Sequence, residues 1–427
     1  MANYRKKSFR KKSREKKHQW KEQNNIPMVE TQETLPDPVP ESGLKIINGK
    51  RRAVRRRRLI IACCSLCLVV GICLWSLLSP TGILEQTSSY FAAVSFGNRY
   101  PQQITGTQIL DAAPVSNRYY LLTDRTLECR AQSGKAVYTI SHGFSLPVMC
   151  LSQSRVLLYD QNSTGYAVYN GKKCLMASTA DYAIYCGDIS RNGTFALATK
   201  SQNYTSQLTV YDKQGNVLYE WYCPEEFIAG LAISDDGKSL AAATMKTSGG
   251  KYISKLYVLR FDSASPVFTR EYDDELMYSL ASMNHGYFQA VFEYRVETFR
   301  FKDFVETTTE SEFPIHYFRA DFRRFAVCSG LTSNQNENRF SLVLPKKNQS
   351  NGFEFNEKVT DYQIYKNRIF VLGENAVYEL DSGGACLRYA ECGFGFRKII
   401  PVNDRECVLI GNHDITKIVL ETQEEAT

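Results

Sequence analysis

CGDISRNGTFALAT, residues 186–199, and GLAISDDGKSLAAAT, residues 230–244, are two versions of one phrase. Ile189, Ser190, Asn192 and Gly193 return as Ile233, Ser234, Asp236 and Gly237, each 44 residues later. In both, an apolar run enters a turn where Asn-Gly or Asp-Gly supplies the positive φ of a tight hairpin, and a run of small residues leaves it. Each copy continues into a second hairpin, residues 207–222 and 255–272, so the unit has four strands. A four-stranded unit repeated at a period near 40 residues is the pattern of propeller blades.

Working outward, the second strand of the unit recurs as YYLLTD (from Tyr119), RVLLYD (Arg155), TFALAT (Thr194), SLAAAT (Ser239), YFQAVFE (Tyr287), RFAVCSG (Arg324), RIFVLGE (Arg368) and ECVLIGN (Glu406). Third-to-fourth strand turns recur around Gly134, Gly171, Gly215 and Gly383, with the composition of ordinary hairpin turns. The pattern predicts an all-β, eight-bladed β-propeller, with seven blades and a peripheral hairpin as the alternative. After Glu406 the sequence offers ITKIVLE and then an acidic tail, so the last unit lacks a fourth strand. SYFAAVSF, residues 89–96, is a candidate to supply it, joining both chain ends in one blade and leaving no open edge.

The region before the repeats differs in kind. Residues 1–58 hold 18 Lys and Arg against 6 Asp and Glu, leaving 34 against 39 for the remainder, so the overall charge of +7 combines a basic tail with a slightly acidic domain. Total charge is then no argument for nucleic-acid binding, and none is expected. LIIACCSLCLVVGICLWSLL, residues 59–78, carries no charge and is long enough for a bilayer core, about 30 Å. Six arginines in residues 51–58 precede it and predict a cytoplasmic N-terminus. The expected organisation is a disordered basic cytoplasmic tail (1–58), a single-pass transmembrane α-helix (59–79), a linker (80–88), an extracytoplasmic propeller (89–421) and a disordered acidic tail (422–427) at the cell membrane. A cleaved signal peptide is the rival, but the preceding stretch is long and SLLSPTGIL offers no clean small-x-small site. The tail has a charge pattern suited to anionic lipids.

The Arg-rich flank and helix, the segment SFGNRYPQQITGTQIL, residues 134–160 and the ISDDGKSLA turn together resemble an uncharacterised family of clostridial single-pass membrane proteins with a propeller-like outer domain. The resemblance covers nearly the whole chain. It implies a bacterial surface location and carries no activity, because the family has no assigned function.

Catalytic chemistry is not announced. His142, His285, His316 and His413 are isolated, and no HExxH, GxSxG, P-loop or dinucleotide pattern occurs. No catalytic, cofactor-binding or metal-ligating residue is assigned, and no cofactor is expected. Quinone-dependent propeller dehydrogenases carry repeated tryptophan docking motifs, whereas Trp221 is the single tryptophan after the helix. Nine cysteines follow the helix without a CxxC; the expected role is small buried hydrophobes, with one or two disulfides. IHYFRADFRRF places Arg319, Arg323 and Arg324 among aromatics as candidates for an anionic or carbohydrate ligand, against the plainer reading of a first strand with alternating core aromatics. The expected function is therefore a non-enzymatic binding or scaffolding module for protein, peptide or glycan at one funnel mouth. The alternatives are a sensor signalling through the helix to the tail, and a cofactor-dependent envelope enzyme.

Overall fold

A computed structural model describes residues 99–422, apart from 105–106, 116, 153–154, 284–285, 321–324, 331–335 and 345–348, together with Ile61 and Ser65. Ile61 and Ser65 are helical; the rest of the predicted span 59–79, the basic tail and the linker lie outside the described residues. Among the described residues no helix is long and apolar enough to cross a membrane.

The repeats form eight four-stranded antiparallel sheets, arranged as the blades of a β-propeller. In chain order blades 1 to 7 span residues 109–141, 147–179, 184–223, 227–273, 279–310, 315–355 and 361–391. Blade 8 takes three strands from residues 398–419 and its outermost strand, Gln102–Gln103, from the other end of the chain. All eight apolar runs read as second strands occupy that position.

Those strands are apolar without alternation because each is covered on both faces. Phe195–Thr199 and Phe325–Gly330 are buried at every position. The twofold period then assigns successive side chains to opposite blade boundaries. Tyr119 and Leu121 of blade 1 pack toward Ile400, Val408 and Ile410 of blade 8, while Tyr120 and Leu122 pack toward Val156 and Leu158 of blade 2. The same division operates around the ring, giving one apolar cluster for each of the eight boundaries.

Hairpin chemistry follows the expected residues. Gly193 and Gly237 have φ of 92° and 64°, and each donates its N–H to the carbonyl of the serine that opens its turn, Ser190 or Ser234. The Asn192 amide Nδ2 also donates 2.7 Å to the carbonyl of Asp236, joining the equivalent turns of blades 3 and 4.

Two expectations change. The strand completing blade 8 is Gln102–Gln103, paired with Ile415 and Asp414; residues 89–96 lie outside the described residues. Two glutamines show no strand pattern in sequence and acquire one only from the edge they meet. The expected disulfides are also absent: all nine cysteines after the helix are free thiols, among which Cys129, Cys223, Cys328 and Cys407 are buried as small core residues.

Candidate functional site

The first strand of every blade lines the centre of the ring, and the last residue of each, from Val115 in blade 1 and Leu151 in blade 2 round to Tyr365 in blade 7 and Pro401 in blade 8, borders one cavity of about 610 Å³. It opens at the end of the ring where first strands turn into second strands. Position in the blade explains its composition: an innermost strand packs one face on the next blade and leaves the other to the channel. Leu231, Ile233, Leu280 and Met283 make an apolar wall, and among the described residues the charged groups at the cavity are Asp188, Arg191, Asp235 and Lys366. Lys366 is bound to Asp404 at 2.8 Å.

Asp188, half-buried on the first strand of blade 3, is the lining acid tied to the next blade. Its Oδ2 accepts the Ile233 N–H of blade 4 at 2.8 Å, and the Ile189 N–H also reaches the carboxylate. Burial pushes its carboxyl up to about 6, and the two N–H groups oppose that rise without cancelling it. The nearby thiols of Cys150 and Cys186 are themselves pushed up by burial, Cys186 to about 12, so both are neutral at physiological pH.

Sequence reading did not single out Asp188, although a signal exists. In the aligned phrases it stands where the other copy has Ala232, a carboxylate in a position otherwise small and apolar. The arginine cluster resolves differently. Residues 315–320 are the first strand of blade 6, and Arg319 Nη2 is bound to Asp361 Oδ1 at 2.9 Å, while Asp361 Oδ2 accepts the Ile399 N–H at 3.1 Å. Arg319 thus ties blade 6 to blades 7 and 8, with its charge already paired. Arg323 and Arg324 lie outside the described residues.

Two further buried carboxylates are paired within the frame. Glu226 binds Lys255, Thr244 and Tyr257 between blades 3 and 4, and Glu379 in blade 7 binds both Arg368 and Arg388. Among the described residues no three His, Cys, Asp or Glu converge as a metal-ligand set.

A protein family described as a family of unknown function (DUF5711) matches residues 91–420. The chain belongs to that family. The match spans the propeller, and the family description assigns no activity. No curated protein matches the chain. Among solved structures, BamB from Moraxella catarrhalis is similar at 10% identity and a TM-score of 0.48, covering 75% of this chain and 99% of that one. The Neurospora crassa Pan2 WD40 domain is similar at 14% identity and a TM-score of 0.39, covering 51% of this chain and 71% of that one. A eukaryotic initiation factor gives 9% identity and a TM-score of 0.45, with 70% and 91% covered. At these values the similarities carry nothing about ligand or activity.

Proposed function

We propose that this DUF5711 protein is a membrane-anchored, extracytoplasmic propeller that acts by binding, and that its ligand enters the cavity at the mouth formed by the ends of the eight first strands. The observation that carries the reading is the cavity itself: about 610 Å³, bordered by all eight blades, with an apolar wall and a few placed charges. Concave sites of this size, mostly apolar with a small number of polar groups, are the usual form of a ligand site. Because the wall is built by the strands that also hold the ring together, the site is rigid, and binding there needs no reorganisation of the frame. Anchoring is supported by the uncharged segment 59–78 and its six preceding arginines, which favour a cytoplasmic tail and an outer propeller at the cell membrane of a single-pass protein.

Substituting Ala281, which lines the cavity, by Trp tests the binding reading. Native mass spectrometry of the full-length chain after exposure to envelope extract is expected to show an adduct on the wild type and none on a folded Ala281→Trp protein. An adduct equal on both proteins places binding elsewhere. Anchoring is checked separately: protease added to intact cells should degrade the region after Ser79 and spare a tag placed before Met28, and the reverse protection refutes the orientation.

A further inference from the structure

Taking the cavity as the binding site, we propose that its ligand carries an ammonium group on an apolar body, and that the Asp188 carboxylate receives the ammonium. Four observations lead there. Asp188 lines the cavity beside Ile189, Leu231 and Ile233, so any group that meets it also meets hydrocarbon. Its known partners are the two backbone N–H groups of Ile233 and Ile189, and a carboxylate offers about four acceptor positions, so capacity remains. Unlike Glu226, Glu297, Glu379 and Asp361, each bound to a Lys or Arg, Asp188 makes no ion pair among the described residues; Asp160 shares that trait but does not border the cavity. Finally, the thiols nearby are neutral, so they neither compensate the charge nor compete with it.

The groups facing Asp188 set its pH response. Cys186 lies on its own strand, Cys150 on the first strand of blade 2 and the Tyr159 hydroxyl, neutral because burial raises it, on the second, while Asp235 follows the blade 4 strand that supplies the Ile233 N–H. Arg191 and Lys366 are at the cavity rim, the latter held by Asp404, and Asp111 of blade 1 is paired with Lys398 at 3.1 Å. A buried carboxylate that receives an ammonium gains a charge-assisted hydrogen bond, which a neutral hydroxyl of the same length cannot match. An anionic ligand would instead be repelled at Asp188.

One ligand chemistry has two sources here, a free amine or the side chain of a lysine in a peptide, and the probes separate them. Saturation-transfer NMR on the full-length chain would compare 1-hexylamine, 1-hexanol, hexanoate and Nα-acetyl-lysine N-methylamide. At pH 7.5 hexylamine should bind about ten-fold more tightly than hexanol, the scale expected of one charge-assisted bond. With Asp188 titrating at about 6, acidification to pH 5 leaves about one-tenth of it ionised, so hexylamine should weaken about five-fold while hexanol stays unchanged. Asp188→Asn should bring amine and alcohol to equal affinity; if that variant does not fold, the matched pH series on the wild type decides alone. Blocked lysine following the same pH profile assigns a peptide source, and hexylamine alone following it assigns a free amine. Equal binding of amine and alcohol, or preference for hexanoate, overturns the ammonium proposal while leaving the cavity as a binding site. No binding of any probe overturns both.

Discussion

Blades 4 and 8 have the same four-stranded form and reach it by opposite routes. Blade 4 is one uninterrupted stretch, 227–273, in which neighbouring strands are joined by hairpins and nearly every pairing is local. Blade 8 combines residues 398–419 with Gln102–Gln103, and the pairing Gln102 to Ile415 joins the two ends of the described chain. Two staples flank it. On one side the Tyr100 and Tyr119 hydroxyls are 3.1 Å apart and the Gln102 amide donates to Gly134 O at 3.0 Å, reaching blade 1. On the other, Glu421 and Tyr389 exchange backbone hydrogen bonds of 3.1 Å, reaching blade 7. Local hairpins make blades, whereas the distant pairing ties both ends of the chain into one blade and so clamps the ring.

The largest expected effect comes from deleting that closure. A chain beginning at Thr105 loses the outer strand, the Tyr100 packing and the Gln102 bonds, about 5 kcal/mol in all. Its melting temperature should fall about 10 °C below that of a chain beginning at Gly82, with more aggregation. Equal melting of the two would mean that blade 8 holds without its N-terminal strand.

Next in size is a charge beside the closure. Glu379 is fully buried between Arg368 and Arg388, so Glu379→Ala leaves two cations without their partner and should cost about 3–5 kcal/mol in urea unfolding. A cost below about 1 kcal/mol would show that the two arginines find other partners without loss.

Blade 4 offers the matching test with a pH signature. Burial alone would raise the Glu226 carboxyl, but hydrogen bonds from Lys255, Thr244 and Tyr257 outweigh it and hold the group below its ordinary value. A depressed folded value means that the stabilisation is present at neutral pH and lost as pH falls through the folded pKa. Glu226→Gln should therefore cost about 2 kcal/mol at pH 7, and the difference from wild type should shrink as pH drops below about 4. A gap that stays constant from pH 7 to 3 would exclude an electrostatic origin.

The smallest effect belongs to the repeated turns. Asn192→Ala removes the bond to Asp236 O together with those its Oδ1 accepts from Ser190 and the Thr194 N–H, and should cost about 1 kcal/mol. Gly237→Ala should exceed it at about 2 kcal/mol, because φ is 64° and a Cβ there would lie 2.3 Å from the Asn192 side chain. Reversal of that order, measured by urea midpoints, would make the Asn192 side-chain bonds more important than the backbone conformation.

The blades were legible because two periodicities coincide. Strands such as FALAT and FAVCSG are buried on both faces and so read as unbroken apolar runs, and Gly193, Gly215 and Gly237 mark turns that need positive φ. Gln102–Gln103 was not legible: two polar residues become a strand only because an unpaired edge waits beside them. The site was not legible at the level of residues, since Arg319 does not border the cavity. Arg319 was noticed as a cation among aromatics, yet its partner Asp361 lies 42 residues away in the next blade, and no spacing rule within a repeat predicts that pairing.

By itself the sequence determined what depends on neighbours along the chain: four-stranded units, their turns, their number, and the uncharged segment before them. Tertiary structure alone decided which residues close the ring, which buried charges are paired, and that Asp188 meets the cavity between the N–H of its own strand and that of Ile233 in the next blade. The physical reason is range. Backbone conformation and side-chain alternation act over a few residues, while closure and the pairing of buried charges act across blade boundaries, between groups that sequence order leaves dozens or hundreds of residues apart.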